Sequence, residues 1–216
     1  MSSSTTADIS AVMWDVGGVL TMPMVEAIPE AANRAQVNMA ELAPKLLETF
    51  MHDGDTNSLA HQLERGEISL DNYLSNMGDI GKEIRKILHP DSPHFVFEFL
   101  QRNDDMHAFV NEVAAAGYST GIISNVVAEW MPWWEAFVHP ADRFDVVMFS
   151  CVDGIRKPNN RIFRLAAERL GVATNEVLFL DDSESMVSAA RESGMRAIHV
   201  TDHRMAIDEA RQLLNL

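Results

Sequence analysis

The 216-residue chain is 47% hydrophobic with a formal charge of -15, enough apolar side chain for a full core in one domain, or in one domain with an insertion. That charge excludes nucleic acid, whose phosphates it repels, and admits a phosphorylated small molecule only where the site itself supplies a cation. No apolar run is as long as a membrane span, and the Ser/Thr-rich leader Met1–Ala7 lacks the basic and apolar parts of a signal peptide, so a cytoplasmic protein with no membrane association is expected.

The apolar run Ala11-Val12-Met13-Trp14 predicts a buried strand that delivers Asp15 to the end of a sheet, where Gly17 and Gly18 let the backbone turn away. Asp is a common turn residue, so Asp15 alone would be structural as readily as chemical. Roughly 100 residues separate it from the next strand, Tyr118–Ser124, although a parallel crossover needs only a dozen or so. A separate module is therefore inserted: residues 1–21 and 101–216 are expected to form the core, and 22–100 the insertion.

The insertion reads as helical. Leu42, Leu46 and Phe50 share one face, Leu59 and Leu63 another, and Leu70, Tyr73, Leu74 and Met77 a third, with Ser69 as N-cap. Ile80, Ile84, Ile87 and Leu88 continue the pattern until Pro90. A core helix then follows, with Met106, Phe109, Val110 and Val113 on one face, Asp104 or Asp105 as its cap and Gly117 at its end. Trp130, Trp134 and Phe137 or Val138 fall on one helical face and are expected to pack on the sheet, not to stack on a ligand.

Val146–Phe149, Val177–Leu180 and Arg196–Val200 complete the strands, with helices after Pro158, after Asp182 and over Met205–Leu214. Cys151, the single cysteine, forms no internal disulfide and reads as a small buried side chain. Strands alternating with helices predict an α/β fold, a Rossmann-like doubly wound parallel sheet with an inserted α-helical module.

Four stretches share one design, in which a strand or loop ends in a chemically able group: Asp15, Ser124-Asn125, Lys157 and Asp181-Asp182. In that order and context they resemble the four motifs of the haloacid dehalogenase superfamily. The segment Leu63-Glu64-Arg65-Gly66-Glu67-Ile68-Ser69 is similar to a turn of that superfamily's helical caps, the modules that close over the site in its small-molecule members. The resemblance implies a Mg²⁺-dependent phosphatase. Asp15 would attack phosphorus, and Ser124, the Asn125 backbone amide and Lys157 would hold the phosphoryl group. Asp15, Asp182 and the Gly17 carbonyl would bind the metal, with Asp181 acting through water; such hard oxygen ligands beside a phosphate suit Mg²⁺.

Gly17 stands where phosphatases of that superfamily usually carry a second aspartate, the general acid and base. Its loss is worth on the order of 10²- to 10⁴-fold in rate unless something replaces it. Candidates in the insertion are His52, Asp53, Asp55 and His61, with His52 also a candidate substrate contact. A leaving group that needs no acid is the other solution, which favours anomeric, acyl or aryl phosphates over alkyl ones. Met186 stands where relatives often carry Asn, a departure that bears on loop anchoring. A metal-free 2-haloacid dehalogenase and a non-catalytic binding protein are the competing readings, and the sequence leaves monomer and homodimer equally open.

Overall fold

The computed structural model describes residues 8–50, 56–138 and 144–216, with side chains described outside 45–50. The leader Met1–Ala7, the candidates His52, Asp53 and Asp55, and the side chains of Leu46 and Phe50 lie outside that description.

A five-stranded parallel sheet forms the centre, in the order β3-β2-β1-β4-β5. Its strands are β1 (Ala11–Trp14), β2 (Ser119–Ser124), β3 (Val146–Phe149), β4 (Val177–Asp181) and β5 (Arg196–His199). Side chains alternate across a strand. Val12 and Trp14 therefore face one core with Ile122, Leu178 and Leu180, while Ala11 and Met13 face another with Ile123, Val177 and Phe179. Helices α6 (Asp104–Ala115) and α10 (His203–Leu214) close the first face; α8 (Asn160–Leu170) and α9 (Glu184–Glu192) close the second. Both faces are covered, which is why every residue of β1 and β4 is buried.

Between β1 and β2 lie α1 (Met24–Arg34), α2 (Met39–Phe50), α3 (Leu59–Glu64), α4 (Leu70–Asn76) and α5 (Asp79–Leu88). Ser69 caps α4, its hydroxyl accepting from the Asn72 N–H at 3.2 Å. Two expectations need correction. The N-cap of α6 is Asn103, whose side-chain oxygen accepts from Met106 N–H at 3.1 Å, so Asp104 and Asp105 fall in the first turn. Asn103 wins because its amide also donates to the Val19 carbonyl at 2.9 Å, a second bond that Asp cannot make.

The tryptophans are buried as core residues, but Trp130 lies in a short 3₁₀ turn ahead of α7 (Met131–Val138). Their aromatic partner is Phe97, its ring centroid 5.7 Å from Trp130 and 4.6 Å from Trp134. The Trp130 indole N–H donates to the Leu88 carbonyl at 2.9 Å. These rings weld α7 to the segment around Phe97, because a polar indole edge needs an acceptor and the end of α5 offers one. Among the described residues no helix is long and apolar enough to cross a membrane.

Candidate active site

In a doubly wound sheet the strand order reverses at one point, and the crevice beyond the strand ends there is where ligands bind. Here the reversal falls between β1 and β4, and Asp15, Asp181 and Asp182 sit at those two strand ends. The Asp15 N–H donates to the Leu180 carbonyl at 2.9 Å, extending the pairing of β1 with β4. One ligand oxygen from each of the three carboxylates lies within 4.8 Å of the others.

Lys157 enters from the loop before α8. Its Nζ is 2.5 Å from Asp181 Oδ2 and 3.0 Å from Asp15 Oδ1, and the side chain is only 2% exposed. Burial alone would strip its proton, but the two carboxylates outweigh burial and raise its pKa. Asp181 is fully buried, and burial and Asp15 push its pKa up against the pull of Lys157. Asp181 Oδ1 also accepts from Ser183 N–H at 2.9 Å. Asp182 keeps an exposed edge, yet loss of hydration and the neighbouring Asp15 and Asp181 charges raise it to about 7. One lysine does not neutralise three carboxylates, so the rim retains a demand for positive charge that Asp15 and Asp182 are placed to express.

The turn after Asp15 is held carbonyl by carbonyl. Val16 O accepts from Thr21 N–H at 3.0 Å, Gly18 O from His203 Nε2 at 2.9 Å, Val19 O from Asn103 and Leu20 O from His107 Nε2 at 3.0 Å. The fifth carbonyl of that turn is Gly17's. The two glycines differ: Gly18 has φ +72 and a Cβ there would lie 2.1 Å from Asp182 Oδ2, whereas Gly17 has φ -65 and open space where a Cβ would point.

Ser124 ends β2, buried, opposite Phe149 of β3. The Asn125 side chain clamps the Lys157 backbone: Oδ1 accepts from Lys157 N–H at 2.8 Å and Nδ2 donates to Lys157 O at 3.1 Å. His61 is buried, and its Nδ1 accepts from Thr56 N–H at 2.9 Å, which commits that nitrogen to the insertion's own architecture. Cys151 is half-buried, and burial raises its thiol to about 11, far from a nucleophile's range. Of the groups that shape this rim, Asn103, His107 and His203 carried no local sequence signal, since each acts on a turn 84 or more residues away.

The arrangement matches known proteins in family and in fold. The sequence model of a hydrolase family, the haloacid dehalogenase-like hydrolases, matches residues 9–194. The chain is 30% identical over 210 residues to acyl-CoA dehydrogenase family member 10 of Mus musculus, covering 94% of this chain and 19% of that protein. It is 25% identical over 211 residues to the sesquiterpene phosphatase astK of Aspergillus oryzae, covering 94% of this chain and 96% of that one. A HAD family enzyme of Bacteroides thetaiotaomicron, solved with magnesium and inorganic phosphate, has the same fold with a TM-score of 0.65 at 20% identity, over 88% of this chain and 93% of that one.

Proposed function

Because the chain belongs to the haloacid dehalogenase-like hydrolases, we propose that it hydrolyses a small-molecule phosphate monoester, with Asp15 as the nucleophile. The observation that carries this reading is the placement of one buried ammonium, Lys157, against Asp15 and Asp181 while Asp182 completes an acidic rim. An Asp15 oxygen attacks phosphorus, the P–O bond to the leaving group breaks, and an aspartyl-phosphate forms. Water then attacks phosphorus, returning Asp15 and releasing phosphate, so one hard displacement becomes two easier ones.

Lys157 holds Asp15 in place and offsets the charge that builds on the phosphoryl oxygens. Ser124 and the Asn125 backbone N–H bind those oxygens, while the Asn125 side chain keeps Lys157 in register. Asp15, Asp182 and the Gly17 carbonyl are the groups to hold Mg²⁺, with Asp181, paired to Lys157, one shell further out. The fit rests on the donor set, hard oxygens with excess negative charge and an Asp182 held near neutrality without a cation. Bound there, Mg²⁺ supplies charge neutralisation for an incoming phosphate. Residues 22–100 serve as a cap over this rim. Gly17 supplies no proton, so substrates whose leaving group needs none, such as anomeric, acyl or aryl phosphates, are favoured over alkyl phosphates.

The test is release of phosphate from p-nitrophenyl phosphate and a sugar phosphate panel, with and without Mg²⁺, against Asp15→Asn. Magnesium-dependent turnover that disappears in the variant supports the reading. Turnover indifferent to that substitution, or halide released from 2-haloacids in its place, refutes it.

A further inference from the structure

A closed ring of contacts begins and ends on Glu64, the last residue of α3. The Glu64 carboxylate accepts from Arg156 Nε at 2.6 Å, and both side chains are largely buried. The next residue, Lys157, is clamped at its N–H and its carbonyl by the Asn125 side chain. The peptide after Asn125 donates its Val126 N–H to Ser150 Oγ at 2.9 Å, and that hydroxyl, fully buried, donates to the Glu64 carbonyl at 2.6 Å. The ring thus joins four segments: the end of α3, the loop after β2, the start of the turn Ser150–Asp153 and the loop that carries Lys157.

Neighbouring contacts seat the same turn. Gly66, at φ +70, lies so close to the Cys151 carbonyl that a Cβ would be 2.6 Å from it. Leu70 N–H, at the start of α4, donates to Glu129 Oε1 at 2.8 Å. An ion pair drawn out of water persists only when its geometry is well met and its remaining groups are paired, so a ring of this kind is either formed or broken, with little between. Glu64 also lies within electrostatic reach of Lys157 and Asp15: burial raises its pKa and Asp15 adds to that, against the pull of Arg156 and Lys157.

We infer that Glu64 is a positioning residue, tying the seating of the α3–α4 turn on the core to the placement of Lys157 and of the loop that follows Ser124. It touches no reacting atom; its effect passes through Arg156 and Ser150. The kinetic consequence rests on the phosphatase reading, whereas the structural coupling does not. When the turn lifts, Arg156 loses its carboxylate and Ser150 its acceptor, and the loops carrying Lys157 and Asn125 relax together. A displacement near 1 Å of a group that holds the reactants costs about 10²-fold in rate.

Two measurements on Glu64→Gln, Arg156→Lys and Ser150→Ala test this, with Glu112→Gln, in a half-buried ion pair between α6 and α10, as the control. In turnover of p-nitrophenyl phosphate with Mg²⁺, Glu64→Gln and Ser150→Ala are expected to lower kcat by about 10- to 100-fold with KM changed by less than about threefold. Arg156→Lys, which keeps a cation beside Glu64, lowers kcat by less than Glu64→Gln does, and the control stays at the parent rate. In amide hydrogen exchange, Glu64→Gln is expected to speed exchange in residues 63–70, 125–127 and 156–157 together. A folded variant with unchanged kcat, or faster exchange confined to residues 63–70, overturns the inference. Should the parent protein show no Asp15-dependent turnover, the phosphatase reading fails, and the exchange experiment still decides the coupling. If Glu64→Gln does not fold, Arg156→Lys and Ser150→Ala read the two limbs of the ring separately.

Discussion

Replacing Gly18 by alanine is expected to damage the rim far more than the same change one residue earlier. At φ +72, Gly18 holds a left-handed conformation that costs an L side chain about 1–2 kcal/mol. The new methyl would also lie 2.1 Å from Asp182 Oδ2 and 2.7 Å from its Cγ, so the carboxylate must retreat by about 1.5 Å to reach ordinary contact. Gly17, at φ -65 with no atom within 4 Å of where a methyl would sit, meets neither problem. There the substitution restricts the unfolded chain and stabilises by about 0.4–1 kcal/mol. For a chain of this size the expected melting shifts are a fall of about 2–8 °C for Gly18→Ala and a rise of about 1–4 °C for Gly17→Ala. Thermal unfolding without added metal reads the strain, and Mg²⁺ titration calorimetry reads the displacement of Asp182. Gly18→Ala is expected to weaken Mg²⁺ by at least tenfold and Gly17→Ala by less than about threefold. Equal shifts in the two variants, or a Gly18→Ala protein that binds Mg²⁺ like its parent, would refute the argument.

Three further outcomes are expected. The open space at Gly17 should accept a carboxylate, so Gly17→Asp raises kcat/KM for an alkyl phosphate by about tenfold or more relative to an aryl phosphate; an unchanged ratio would show that no leaving-group acid can act from this position. Asp182, raised to about 7 from an ordinary 3.8, favours the folded metal-free protein while protonated, and that contribution is lost as pH rises toward and through 7. Because Mg²⁺ displaces the proton, the melting-temperature gain from Mg²⁺ should be larger at pH 8 than at pH 6, and the reverse order would contradict the assignment. Cys151, with its thiol near 11, should resist iodoacetamide at pH 8 and react only as pH approaches 10, measured by mass spectrometry of the alkylated peptide.

What could be read from the sequence was what local pattern encodes. Apolar runs ending in Asp15, Ser124 and Asp181 marked strands because a strand covered on both faces stays largely apolar until it leaves the sheet. Ser69 was visible as an N-cap because its partner lies three residues away. Asn103 was passed over for Asp104 and Asp105 because its deciding bond reaches Val19, in a different segment. His107 and His203 were hidden for the same reason, each serving a carbonyl supplied by a distant turn. The pairing of Glu64 with Arg156 was not legible, since nothing in either neighbourhood announces that the two meet out of water. Trp130 and Trp134 were placed correctly as core, but their ring contacts with Phe97 could not be foreseen, because helical periodicity says which face is buried and not what covers it.

The central position of β1 has a consequence for how the protein is made. A ribosome releases Ala11–Trp14 well before the strands that flank it, Ser119–Ser124 and Val177–Asp181. At about 5–20 residues per second, the first neighbour arrives roughly 5–20 s later and the second later still. Through that interval the nascent chain carries a bare apolar strand with both edges unpaired, the kind of segment that chaperones shield and that otherwise recruits other chains. The inserted helices, which emerge during this wait and make mostly local contacts, can form before the sheet does. Nascent chains arrested before Asp181 and Asp182 have no second wall to the rim, so activity should switch on only after β4 has emerged.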